Sequence, residues 1–390
     1  MAHPYRLDEA AQRIVTKATA IATEVAAKHA ADVDAKARYP KEAMDALAKE
    51  GLWGLCVPTA QGGMGQTPAV FAAVVEELAT ACGSTAMVYT MHVTAAQAIA
   101  SSTTLARRDE VLKAAAAGKH LTTLAFSEKG SRSQFWAPVS KLAAKDGGAG
   151  WVTNAIKSWV TSAEEADSYV SSAQKPGAAS PLESVVYLVD RKASGVRMGA
   201  AWEGLGLRGN DSRPVTLEGV AVAPGDLISA LGEGAKTMLE VVLPWFTVGT
   251  SAMAHGLCRA AVGATAGHLS GSGFEHDGSK LRDLPVLRAR LADKSARTEA
   301  SRALLGYTTA EMLAPDAMTP LFVLQSRLTA LETAIDVADL AMKACGGAAF
   351  SKHLPVDRIF RDARAGWVMA PTVDHLRDFV GKALTGLPLF

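Results

Sequence analysis

The residues whose types and spacing could support chemistry fall in three stretches. KSWVTSAEEAD, Lys157 to Asp167, separates Trp159 and Thr161 by two positions, which on a β-strand predicts an aromatic plate and a hydroxyl on one face. LAFSEKGSRSQFW, from Leu124, offers the hydroxyls of Ser127 and Ser133 on a glycine-containing loop whose amides can donate hydrogen bonds. The third stretch runs from Gly346 to His375, GGAAFSKHLPVDRIFRDARAGWVMAPTVDH. Its Gly346-Gly347 pair permits close approach to bare backbone, and a charged, helix-compatible segment then leads to a Pro-Thr turn. Proton acceptors stand singly: His92 in YTMHVTAAQ, Glu240, and Asp374-His375 just after the turn. Each feature also has a purely architectural reading, as a core tryptophan, a serine-rich loop, a helix C-cap or a satisfied rim histidine.

Spacing and charge argue against other chemistries. Cys56, Cys82, Cys258 and Cys345 lack CxxC spacing, and the histidines show no HxxxH or HExxH pattern, so neither a metal site nor a disulfide framework is expected. The GxGxxG string GLGLRG, 204–209, leads into a β-like stretch and not a helix, and no GxxxxGKS/T loop occurs, so a nucleotide would not be held in Rossmann or P-loop fashion. A formal net charge of +1, with acids and bases interspersed, gives no field to recruit nucleic acid or an anionic membrane. No apolar run approaches the ~20 residues that span a bilayer, and MAHPYRLDEAAQR lacks the apolar core of a signal peptide, so a cytoplasmic location is expected.

The elements that must position these groups follow from hydrophobic period. A chain of 390 residues, 49% hydrophobic, predicts two or three units. Leu7, Ile14, Ala18, Ile21 and Val25 mark an amphipathic helix within 7–29, a second follows Pro40 and stops at Gly51, and more helix is expected from Ala69 to about Ser101. From Leu121 the helical period gives way to short β-rich runs at Trp151, Trp159, Tyr169 and 185–189, closing with the alternating stretch 215–229. Helical spacing returns after Gly232, clearest at Leu324, Leu328, Leu331, Ile335, Ala338 and Met342. The expectation is an α+β chain: an α-helical domain over 1–121, a middle β domain, barrel or sandwich, over 122–231, and a C-terminal four-helix bundle over 232–390.

Taken in order, these motifs resemble the acyl-CoA dehydrogenase family, and the resemblance covers nearly the whole chain. Gly346-Gly347, Phe350, Pro355-Val356-Asp357-Arg358 and Arg361-Asp362-Ala363-Arg364 match its C-terminal signature. Val57-Pro58 with Gly62-Gly63-Met64-Gly65, the 204–212 loop GLGLRGNDS, and the Ser127-Glu128 and Lys157–Asp167 motifs match elsewhere. The resemblance implies FAD. On the β side its contacts would come from Phe126, Ser127 and Ser133, with Trp159 and Thr161 against one face of the isoalloxazine and the Thr161 hydroxyl near N5. On the bundle side they would come from Lys343, Gly346, Gly347, Thr372 and Asp374.

This sequence departs from the family where proton chemistry is done. Ala370-Pro371-Thr372 replaces the Glu-Gly-Thr turn whose glutamate removes the substrate α-proton in much of the family, and LPWFTVG, 243–249, lacks the alternative base. SGSGFEHDG around Phe274 lacks the arginine that usually reaches a neighbouring subunit's adenine nucleotide. His92 is the favoured substitute base. The implied activity is α,β-dehydrogenation of an acyl thioester on CoA or a carrier protein, passing electrons to a flavoprotein acceptor, in a homo-oligomer, expected to be a tetramer. The rivals are a flavin monooxygenase on the same fold, using oxygen, and a degenerate subunit kept for assembly.

Overall fold

A computed structural model describes residues 4–145, 147–201 and 203–389. Asp8 caps α1 (Glu9–Ile21), its carboxylate accepting the Ala11 N–H at 2.8 Å. A π-helical turn, Ala22–Ala26, carries the amphipathic stripe into α2 (Ala27–Lys36), beyond the expected end at His29. The helices α3 (Lys41–Lys49), α4 (Pro68–Ala81), α5 (Gly83–Ala100) and α6 (Arg108–Ala116) follow. Within the helical stretch expected from Ala69 to about Ser101, Cys82 takes extended angles (φ −152°, ψ 109°) and separates two helices. The break lets the start of α5 lie against a distant helix: a Cβ at Gly83 would fall 2.7 Å from Asp362 Oδ2.

Among the described residues, seven strands then form two sheets. β1 (Thr122–Ala125), β4 (Ser168–Gln174) and β5 (Ser184–Asp190) pair in the order β1-β4-β5, with β1 parallel to β4. β2 (Leu142–Ala144), β3 (Trp151–Val160), β7 (Arg213–Val222) and β6 (Val196–Met198) pair in the order β2-β3-β7-β6, all antiparallel. The Trp151 and Trp159 runs are thus two ends of one strand.

The helical half starts with α7 (Gly234–Lys236) and a π-helical turn, Thr237–Val242, which feeds α8 (Leu243–Gly271). α9 (Pro285–Glu311), α10 (Thr319–Phe350), α11 (Val356–Ala363), α12 (Ala365–Val368) and α13 (Val373–Thr385) complete it. α10 packs against α8, α9, α11 and α13, burying Leu324, Leu331 and Ala338 from the predicted stripe. The sequence reading found no run long enough to span a bilayer, yet among the described residues the helical stretch Gly234–Gly271 is long and apolar enough to do so. Most of it is buried against α4, α5, α9 and α10, as in the core helix of a bundle. Two hydrophobic clusters run through all three parts: one joins Phe71 and Tyr89 to Leu142 and Val215 and to Val248 and Leu305, the other Ile99 to Val170 and to Leu257 and Leu331. The architecture is the expected one of helical ends around a sheet-containing middle.

Candidate functional site

Two of the sequence motifs meet in a buried ion pair. Lys157 Nζ lies 2.5 Å from Glu128 Oε1, and both side chains are almost wholly enclosed. Glu128 also accepts the Val139 and Ser140 N–H groups at 2.6 and 2.7 Å and the Ser140 hydroxyl, while Lys157 donates to the Ser172 carbonyl at 2.6 Å. Burial alone would raise the Glu128 carboxyl, but the Lys157 ammonium and the Ser140 donors hold it below the usual carboxylate range. The pair fixes the 127–140 loop to β3 and β4, and the Ser158 N–H donates to the Ser127 carbonyl at 2.8 Å. Glu128 and Lys157 each lie within one of the two sequence motifs, and only the fold brings them together.

Beyond that clamp, β3 does not keep its alternation. The register with β7 shifts between Lys157 and Val160, and Trp159 takes a positive φ of 57°. Its indole is therefore 53% exposed, while Thr161, past the end of the strand, is buried. The expected single strand face holding both is corrected: a bulge and a turn place them, not the pleat. Thr161 Oγ1 lies 3.3 Å from Ser212 Oγ at the end of the 204–212 loop, and the neighbouring Ser162 Oγ is buried without a partner. Ser133, at φ 67°, and Ser127 are half-buried. Phe126 is buried in an aromatic column with Phe135, Trp136 and Phe379, so only its backbone remains to meet a ligand.

On the bundle side, Gly346 (φ 51°, ψ −131°) kinks α10 instead of capping it, and Gly347 follows; both are exposed, as is Lys343. Thr372 caps α13, its hydroxyl accepting the His375 N–H at 3.4 Å. Asp374 projects to solvent and pairs with Arg377 at 3.0 Å. The Arg-Asp-Ala-Arg run proves to be a joint between parts of the chain. Arg361 grips Asp34 at 2.5 Å and the Leu205 carbonyl at 3.1 Å, and Asp362 accepts the Leu207 N–H at 2.7 Å. Burial pushes Asp362 up to about 6.

The favoured substitute base is corrected. His92 has no exposed surface, its Nδ1 accepts the Thr122 N–H at 3.2 Å, and its Nε2 then donates to the Trp53 carbonyl at 3.0 Å. Burial pushes it down to about 4. Nδ1 ties α5 to β1 and Nε2 ties it to the turn at Trp53, so neither is left to take a substrate proton. Glu240 is exposed on the turn before α8. Of the sequence candidates, His375 keeps an unpartnered Nδ1, and its ring stacks on Phe379. A residue that periodicity could not single out is Arg327, wholly buried on α10 with its guanidinium against the Met369 and Ala370 carbonyls.

Comparison with known proteins places three family models along the chain: the acyl-CoA dehydrogenase N-terminal domain over residues 8–119, the middle domain over 123–220 and the C-terminal domain over 232–385. A probable acyl-CoA dehydrogenase of Mycobacterium tuberculosis is 25% identical over 384 residues, 97% of this chain and 96% of its own. The short/branched chain specific acyl-CoA dehydrogenase of Bos taurus mitochondria is 26% identical over 93% of this chain and 83% of its own. Among solved structures, butyryl-CoA dehydrogenase from Megasphaera elsdenii superposes with a TM-score of 0.91 at 21% identity, covering 97% of this chain and 99% of that one. The FAD complex of PigA gives a TM-score of 0.88 at 18% identity, covering 97% and 98%.

Proposed function

Because the chain belongs to the acyl-CoA dehydrogenase family, whose members are oxidoreductases acting on CH–CH bonds, we propose that it binds FAD between the sheets and the C-terminal bundle and dehydrogenates an acyl thioester at Cα–Cβ. The observation that carries this reading is Trp159. Left-handed angles are costly for a bulky residue, and a core tryptophan would be buried; here the clamp of Lys157 on Glu128 holds the indole half in the open. A ring stacked on it gives both costs a purpose.

The residues around it suit FAD. Ser162 Oγ is buried and unsatisfied, the Thr161 hydroxyl is weakly engaged, and a Cβ at Gly346 or Gly347 would meet nothing within 4 Å, leaving bare backbone open to a ligand. FAD, when bound, supplies a hydride acceptor at N5. The chain's own groups do the rest. Trp159 covers one face, Thr161, Ser127 and Ser133 offer hydrogen bonds, and the ion pair keeps the loop from drifting. Ala370 takes no proton, and this reading gives the Cα proton to His375, which follows the Ala370-Pro371-Thr372 turn and keeps an unpartnered Nδ1. The test is turnover of FAD-loaded protein on saturated acyl thioesters with an artificial electron acceptor. Products two hydrogens lighter by mass spectrometry are expected; a product that gains oxygen contradicts dehydrogenation.

A further inference from the structure

Arg327 is a buried cation without an anion. Its side chain has no exposed surface, and among the described residues no carboxylate pairs with it. Every hydrogen-bond acceptor recorded for it is neutral. Nη1 donates to Thr250 Oγ1 at 2.8 Å, and Nη2 makes long contacts to the Met369 and Ala370 carbonyls at 3.2 and 3.4 Å. The Phe246 ring lies 4.7 Å from its central carbon, and the Nε hydrogen has no partner at all.

Other enclosed cations of this protein are treated differently. Lys157 has Glu128, Arg302 has Glu76, Arg361 has Asp34 and Asp357, and Arg364 has Asp339. Their surroundings follow suit: acids push Arg302 and Arg361 above the usual arginine value against the opposing effect of burial, whereas burial pushes Arg327 down to about 9. An isolated guanidinium is strongly disfavoured in a low-dielectric interior, and a fold that supplies counter-ions elsewhere leaves this one open. Phe246, Met369 and Ala370, the groups that wall it off, are themselves only half-buried, so a single layer separates Arg327 from the turn that carries Ala370.

We propose that Arg327 completes a subsite for an anionic acyl group, the substrate being an acyl thioester that carries a second, free carboxylate. This deepens the dehydrogenase reading and rests on it. The guanidinium edge formed by Nε and a neighbouring Nη matches a carboxylate as a two-bond fork. The long carbonyl contacts are the ones such a carboxylate would displace, and the methyl of Ala370 puts no protein acid in competition for the cation.

Binding to FAD-loaded enzyme, read from perturbation of the flavin spectrum under anaerobic conditions, is compared for glutaryl-CoA and the neutral, length-matched hexanoyl-CoA. The wild type is expected to hold glutaryl-CoA about tenfold tighter or better, and Arg327→Met to lose that preference. A merely structural arginine predicts a large loss of stability on removal. An uncompensated one predicts that FAD-free Arg327→Met melts at or above the wild-type denaturant concentration. Equal or tighter binding of hexanoyl-CoA by the wild type overturns the proposal and leaves the dehydrogenase reading standing; so does a preference that survives in Arg327→Met. Should the variant fail to fold, the wild-type pair alone decides. Binding of neither thioester also overturns this proposal, while the dehydrogenase reading is decided separately by the turnover test.

Discussion

Lys157 and His92 show how far single residues could be read. Lys157 opens the motif that carries the tryptophan and threonine, and its ion pair with Glu128 anchors the strand just before them. Removing one partner of a buried ion pair strands the other, which costs about 3–5 kcal/mol. Lys157→Met is therefore expected to lower stability by that order in urea unfolding and to weaken FAD retention on gel filtration. His92 was legible as a histidine on an apolar helix; that both ring nitrogens serve backbone groups depends on Trp53 and Thr122, which pattern cannot bring together. The same burial makes a pH prediction. His92 and His255 are each pushed down to about 4 by burial, against ~6.5 for an unfolded histidine. Between those values the unfolded chain binds more protons, so stability is lost as pH falls from ~6.5 toward 4, by up to roughly 3 kcal/mol per histidine. Asp362, raised to about 6 by burial, acts in the opposite sense between ~4 and 6 and offsets part of this loss. Urea midpoints from pH 7 down to 4.5 should fall, and His255→Gln should flatten the slope; a level profile contradicts the assignment.

At the scale of elements, period was a sound guide and interruptions were not. The stripes of α1 and α10 lie where spacing put them, because each buries its apolar side along its length. The break at Cys82, the register shift around Trp159 and the kink at Gly346 carry no hydrophobic signal, since each changes backbone angles without changing the apolar spacing. The 204–212 loop is the clearest instance: it resembles a motif, but what it packs against lies 155 residues away on α11. A Cβ at Gly206 would fall 2.3 Å from the Arg361 carbonyl oxygen, which is fixed backbone. Gly206→Ala is expected to cost at least about 1–3 kcal/mol by overpacking. Gly263→Ala, inside α8 with nothing within 4 Å of the added carbon, should instead stabilise by roughly 0.5–1 kcal/mol. Parallel urea titrations of the two variants check the contrast, and equal effects contradict the account of the joint.

For the whole molecule, the order helix, sheet, helix was legible because the hydrophobic period changes between 3.6 and 2 at each transition. The shared core was not, since Phe71, Val215 and Leu305 come together only in three dimensions. Nor does sequence reveal which apolar groups stay uncovered in one chain. Phe350, Trp367 and Val368 of the C-terminal helices, and Leu384 and Leu387 at the end of the chain, are all exposed. Apolar surface of this kind favours association, and a tetramer is the expected assembly. Sedimentation at micromolar concentration should give a species near four times 40.6 kDa, and a lone 40.6 kDa species contradicts it.

The central claim, that this chain removes hydrogen from Cα–Cβ of an acyl thioester without a carboxylate at position 370, is tested most directly by one anaerobic mixing experiment. FAD-loaded protein is combined with saturated acyl thioesters, with and without a free carboxylate on the acyl group, and the flavin's visible absorbance is followed through a single turnover. Bleaching by at least one thioester, with no reductase present, is the result predicted. A flavin that stays oxidised with every thioester and is reduced only by an external reductase contradicts the claim.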